Sequence, residues 1–213
     1  MLLANPTPAI LVGLLVALVI GTTFHEFSHA FVADQLGDHR PRAQGRVSLN
    51  PVDHLDPVGT IFFLIAGFGW GKPVMVNPSA IRPPGIGMAF VASAGPLANL
   101  VVATVVAVVF RAGELSGVLG GPGDFMWEAL LWVVRFNIIL GLFNLLPVPP
   151  LDGYNLVMAF LPPRTAYAIQ RYAQYGVLVL LLLVLLPSLG GGVSPLGWLF
   201  DLAAAIARLL VGA

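Results

Sequence analysis

Residues 9–34 read AILVGLLVALVIGTTFHEFSHAFVAD, an uninterrupted apolar run that carries two histidines and a glutamate near its far end. A helix rises 1.5 Å per residue, so about 20 such residues cross the roughly 30 Å hydrocarbon layer of a bilayer. The stretch is long enough to span, and its ionisable residues fall inside the span. Ionisable groups at that depth cost about 2.5 to 3.5 kcal/mol for Asp, Lys or Arg at a helix centre, and they mark function by default.

Outward from this helix the chain keeps the same solvent. Of 213 residues, 58% are hydrophobic and 9% charged, against roughly a quarter charged in a soluble domain. Mean hydropathy is +0.91. A water-soluble globular fold is excluded, and lipid is expected to cover most of the surface. Ten Lys plus Arg balance ten Asp plus Glu, so no basic field exists for nucleic acid. The chain has no cysteine, which leaves His and carboxylate as metal ligands. Residues 1–30 lack a positive n-region and a cleavage site, so the first segment is expected to be retained.

The expected fold class is an all-α polytopic membrane protein made of one membrane-embedded domain, 1–213. Its spans are the helix at 9–34, a helix at 87–111, a broken helix at 125–160, and C-terminal helices at 171–187 and 196–211. The apolar run 58–70 is too short to cross comfortably and ends among Gly67, Gly69 and Gly71. Region 58–78 is therefore expected to be a re-entrant or β-hairpin element, giving five transmembrane segments, or six if 58–70 crosses. With the loop after the first helix in the cytoplasm, Arg40, Arg42, Arg46, Lys72, Arg82, Arg164, Arg171 and Arg208 fall on or near one side and Arg111 opposite. That bias satisfies the positive-inside rule with the N-terminus outside.

Histidines at i and i+4 project from one helical face, so His25 and His29 can hold one metal ion. The bland alternative is a pair of packed histidines with a partnered Glu. Catalytic zinc generally takes three protein ligands, and a third is sought at membrane depth. Asp152 qualifies, because Pro147, Pro149 and Pro150 must break the span before it and free the chain to turn inward. Its alternative role is capping a helix that begins near Gly153.

His25 to His29, taken with Phe143 to Gly153 (FNLLPVPPLDG), resembles the site-2 protease family of intramembrane zinc metalloproteases, in particular small prokaryotic members without a PDZ domain. Ser48 to Pro51, Asp56 to Thr60, Gly69 to Val74, Val76 to Pro78 and Ala94 to Asn99 also look like that family. The resemblance implies that His25, His29 and Asp152 bind Zn2+, that Glu26 is the general base, and that Asn144 holds or polarises the substrate peptide. It implies a prokaryotic plasma-membrane enzyme working toward the cytoplasmic side.

Its substrate would be a transmembrane helix of another protein, which must be unwound before its peptide bonds can be attacked. Trp70, Val74, Met75 and Val76 could line a short edge strand that holds the opened substrate by β-augmentation; an interfacial turn anchored by Trp70 is the alternative. The expected partners are that substrate, the lipid bilayer and a regulatory membrane protein that controls access. Gly95, Pro96 and Asn99 are read as close-packing residues near the site, and Arg135 and Asn137 as structural or cavity-lining. His54 and His39 are read as loop residues. Two further readings stand beside the protease: a zinc protease whose third ligand is Glu114 or Glu128, and a catalytically silent metal-binding scaffold or carrier.

Overall fold

The computed structural model describes residues 6–66, 69–186 and 194–212. Helix α1, Pro8–Gln35, starts where Thr7 Oγ1 accepts the Ile10 amide and a proline fills the first turn. A short α2, Arg40–Ala43, follows, then α3, Pro57–Ala66. Next come α4, Ile86–Leu115, and α5, Phe125–Asn144, the latter capped by Asp124 accepting from the Met126 and Trp127 amides. The proline-rich break at 147–150 ends α5, because each proline lacks an amide donor and disfavours helix in the residue before it. The chain resumes as α6, Asp152–Phe160, α7, Pro163–Gln170, α8, Gly176–Leu185, and α9, Gly197–Val211.

Helices α1, α4 and α5 pack on one another in a three-helix core. Ala103, Ala107 and Phe110 of α4 meet Leu131, Val134 and Ile138 of α5, and Ala203, Ala207 and Val211 of α9 close the same cluster. Small residues on α4 and α9 let these helices approach closely, as membrane packing requires. A second cluster joins Leu14 and Leu18 of α1 to Phe63 of α3, with Trp132 and Phe136 of α5 alongside.

The fold class is all-helical as expected, and α1, α4 and α5 are long and apolar enough to cross a membrane. By length and composition, the described residues give three such helices, short of the expected five. α9 has 15 residues and α3 has 10, both short of a bilayer. The expected helix at 171–187 is instead a bent pair, in which 163–170 and 173–185 meet at 43° and together would make a fourth span; residue 187 lies outside the described residues. The direction of α9 also corrects the charge placement. A Cβ on Gly212, just past α9, would lie 3.0 Å from Arg111 Cζ at the end of α4, so α9 runs parallel to α4. Arg208 therefore sits at the Arg111 end, not with the loops after α1.

Among the described residues no strand forms, so the β-hairpin alternative for 58–78 is replaced by α3 and an extended segment. One isolated antiparallel bridge joins Leu55 to Gly71. Pro57 turns the chain straight into helix, and Pro73 and Pro78 remove amide donors that a ladder would need. Trp70 is exposed and rests on Phe62 at 5.6 Å between ring centroids. Glu128 and Arg135, both on α5, take separate partners. Glu128 Oε2 accepts from Thr7 Oγ1 at 2.9 Å, tying the starts of α1 and α5, while Arg135 lies 5.8 Å over the Trp132 ring.

At the opposite end an ionic clamp fixes the extended segment to α1. Asp38 is buried and accepts from Arg40 Nε at 2.8 Å, Arg40 Nη2 at 2.9 Å and the Asn77 amide at 2.6 Å. The Arg40 guanidinium, helped by the Asn77 amide, holds the Asp38 carboxyl at about 2. A depressed carboxyl stabilises the fold above its ordinary value of 3.8 and loses that contribution as pH falls toward about 2. Asp38→Asn is expected to lower the melting temperature in detergent by roughly 3 to 10 °C near neutrality. The gap from wild type should close as melts are repeated from pH 4 down to pH 2; a gap independent of pH would mean that charge at Asp38 contributes nothing.

Candidate metal centre

One turn of α1 carries His25 and His29 on the same face, and the start of α6 brings Asp152 to them from 123 residues away. Asp152 Oδ2 lies 3.0 Å from His25 Nε2 and 3.2 Å from His29 Nε2, and the two Nε2 atoms are 3.1 Å apart. Both histidines are buried. Asp152 is the first residue of α6 and Leu151 is its cap, so the capping role weighed from sequence is not the one it takes.

The outer ring nitrogens decide what the inner ones can do. His29 Nδ1 faces the Val91 carbonyl at 2.7 Å, an acceptor only, so it must carry the proton. His25 Nδ1 donates to Asn99 Oδ1 at 2.6 Å. In neutral rings, both Nε2 atoms then present lone pairs. Two such lone pairs and a carboxylate oxygen converge with no hydrogen between them, which is the donor set a cation fills. Two nitrogens and one oxygen suit zinc and leave room for water or substrate as a fourth ligand.

Room for an ion is left by the third helix. A Cβ on Gly95 of α4 would fall 2.6 Å from His25 Nε2 and 2.7 Å from His25 Cε1, and would also strike His29 Nε2. Among the described residues, His25, His29 and Asp152 are the cluster of His and carboxylate groups that could hold a metal.

Glu26 stands next to the ligands in sequence but turns to a different face of α1. Its Oε2 accepts from the Val74 amide at 3.2 Å and lies 3.9 Å from Arg46 Nη2. Arg46 is itself buried and donates to the carbonyls of Asp53 and Lys72, joining the loop after α1 to the extended segment. Val74 is thus brought to the site through its backbone, whereas the exposed Trp70 and Met75 side chains are not bonded to it. Asn144 ends α5, and its Nδ2 donates to the Leu140 carbonyl at 2.9 Å; no bond joins it to the three ligands. His54 Nε2 donates to the Ser48 carbonyl and His39 pairs with Asp34, both in loop roles as expected.

Sequence reasoning took Asn99 only as a close-packing residue and Asn137 as structural or cavity-lining, and missed Arg46 and the Val91 carbonyl. The signal for the asparagines was present, since an amide inside a membrane helix must find a partner. A backbone carbonyl has no signature in sequence.

Comparison with known proteins gives one family. The profile of peptidase family M50 matches residues 121–187, which include Asn144 and Asp152. YwhC of Bacillus subtilis, named as a candidate zinc metalloprotease, is 38% identical over 177 residues, covering 82% of this chain and 80% of YwhC. Rip2 of Mycolicibacterium smegmatis, with the same description, is 30% identical over 217 residues, covering 95% of this chain and 80% of Rip2. MJ0611 of Methanocaldococcus jannaschii is 27% identical over 148 residues, covering 67% of this chain and 68% of that protein. No solved structure matches the chain at a comparable level.

Proposed function

The chain belongs to peptidase family M50 and is a zinc metalloprotease of the membrane, and from that premise we propose that it cleaves a peptide bond within or near a transmembrane helix of another protein. Such cleavage serves either regulated intramembrane proteolysis or clearance of signal-peptide remnants. The observation that carries this reading is where the chemistry lies: His25, Glu26 and His29 sit inside Pro8–Gln35, a helix apolar enough to span. Ten residues separate His25 from the helix end, about 15 Å of rise, so a substrate bond reaches them at membrane depth.

His25, His29 and Asp152 hold the zinc, which when bound polarises the substrate carbonyl and lowers the pKa of water to about 7. Glu26 takes the proton from the attacking water and passes it to the leaving amine. Its carboxylate is kept in place by the Val74 amide, with the Arg46 guanidinium alongside. The extended segment at 70–76, bridged to residues 54–55 at Gly71 and Lys72, receives the opened substrate along its remaining backbone, with Trp70, Val74, Met75 and Val76 as the contacting residues. Asn144, whose Nδ2 is anchored on Leu140, holds the substrate peptide with its amide oxygen.

The N-terminus lies outside, and the loops bearing Arg40, Arg42, Arg46 and Lys72 lie in the cytoplasm of a prokaryotic cell. Arg111 and Arg208 are opposite, and the bias of charge toward the cytoplasm survives the reversal of Arg208. The three-helix core crosses with α9 returning toward the outer face. A membrane partner controls substrate access.

Reconstitution in liposomes with a labelled single-span substrate tests the proposal. Zinc-loaded enzyme should release fragments whose new ends map within the hydrophobic segment; chelation should stop the reaction and added Zn2+ restore it. Cleavage confined to soluble loops of the substrate would overturn it.

A further inference from the structure

Three helices meet at a pair of asparagines with no exposure at all: Asn99 on α4 and Asn137 on α5. Asn99 Nδ2 donates to the Gly21 carbonyl of α1 at 3.0 Å and to Asn137 Oδ1 at 3.2 Å. Asn137 Nδ2 donates to the Val133 carbonyl at 2.9 Å. Space for the pair depends on Gly21, where a Cβ would lie 2.7 Å from Asn137 Oδ1 and 3.3 Å from Asn99 Nδ2.

The polarity of this chain is fixed from its far end. Val133 O and Gly21 O can only accept, so each must face an NH2 group. Asn137 therefore turns its oxygen to Asn99, and Asn99 turns its own oxygen to His25. Flipping either amide would set donor against donor or oxygen against oxygen, in a place no water is needed to fill. His25 Nδ1 must then donate at 2.6 Å, and Nε2 is left bare toward Asp152.

We propose that Asn99 and Asn137 are positioning residues that set the tautomer of His25 for metal binding, with Asn137 acting only through the orientation it imposes on Asn99. Partners that orient a ligating histidine typically contribute 10- to 100-fold in metal affinity. The amide pair does here what a carboxylate does in many zinc sites, without placing a charge among the three helices. The proposal rests on His25 being a zinc ligand, the reading put forward above.

The test is the Zn2+ dissociation constant of detergent-purified protein, measured by competition with a chelator, beside the visible spectrum of the Co2+-loaded form. Asn99→Leu is expected to weaken Zn2+ about 10- to 100-fold and to change the Co2+ bands. Asn137→Leu, which touches no ligand, should weaken Zn2+ about fivefold, the effect of one buried neutral hydrogen bond. Asn99→Asp sets an oxygen against the Gly21 carbonyl and Asn137 Oδ1, so it should lower fold stability, yet it should hold Zn2+ more tightly than Asn99→Leu, because a carboxylate still accepts from His25 Nδ1 through either oxygen. That symmetry supplies the decisive comparison: in the Asn99→Asp background, adding Asn137→Leu should no longer weaken Zn2+. A packing role predicts the same loss in both backgrounds, and that result would overturn the proposal. His25→Ala is titrated in parallel. Unchanged affinity in His25→Ala would remove the ligand reading and this one with it, whereas weakened affinity there with wild-type affinity in Asn99→Leu would overturn this inference alone.

Discussion

Glu26→Gln is expected to keep a full complement of zinc and to lose about 10²- to 10⁴-fold in kcat, the range a positioned general base supplies. Glu26 follows His25 directly, yet one residue of helix rotates its side chain about 100° away from the ligand face. The structure agrees, since its carboxylate meets the Val74 amide and the Arg46 guanidinium, not the metal cluster. Glutamine has the same length and can still accept from Val74 through its amide oxygen, so the segment at 70–76 should stay in place. It cannot take a proton at neutral pH. Metal content by mass spectrometry and turnover on a reconstituted single-span substrate separate the two effects. Turnover within tenfold of wild type would remove Glu26 as the base; loss of zinc would make it a ligand and displace Asp152 from the scheme.

What could be read in the sequence follows the range of the interactions. The pairing of His25 with His29 is local, set by 3.6 residues per turn, and needs no knowledge of tertiary structure. Asp152 was legible for another reason: prolines at 147, 149 and 150 forbid continuous helix, and a side chain just past such a break is free to turn inward. The bond from His25 to Asn99 spans 74 residues, and its existence depends on the register between α1 and α4. Side-chain packing sets that register, and no single-chain periodicity reports it.

Hydropathy located the long helices but not the number or direction of the short ones. The helix expected at 171–187 is longer than α8, which has 10 residues and meets the polar α7 region at a bend, so hydropathy overstates the straight helix there. An even or odd number of crossings before α9 reverses the placement of Arg208, and a hydropathy profile carries no such parity. The contact of Gly212 with Arg111 supplies it. The hairpin expectation failed for a local reason, because Pro73 and Pro78 sit where ladder donors would be required.

Gly95→Ala should all but abolish zinc binding, weakening it at least about 100-fold, and should also cost the metal-free protein about 1 to 2 kcal/mol of stability. Alanine in a helix interior is favoured over glycine by about 0.5 to 1 kcal/mol, and α4 is continuous through this position. The new methyl, however, would sit 2.6 Å from His25 Nε2, with His29 Nε2 in its way as well. Neither ring can swing aside cheaply: His25 is held through Nδ1 by Asn99, and His29 by the Val91 carbonyl, both at buried positions. Breaking either bond leaves a buried donor unpaired at a cost of about 1 to 3 kcal/mol, more than the alanine contributes. A carbon cannot remain 2.6 Å from a ring nitrogen, so a ring gives way at that cost and the three ligands no longer converge. Thermal melts with and without Zn2+ read this directly, because a ligand at 1,000 times its dissociation constant stabilises by about 4 kcal/mol. Wild type should show that zinc-dependent rise and Gly95→Ala should show none, starting from a metal-free melting temperature a few degrees lower. A wild-type rise in the variant would mean that the ion binds away from the face α4 presents, and that the convergence of His25, His29 and Asp152 is not where the metal sits.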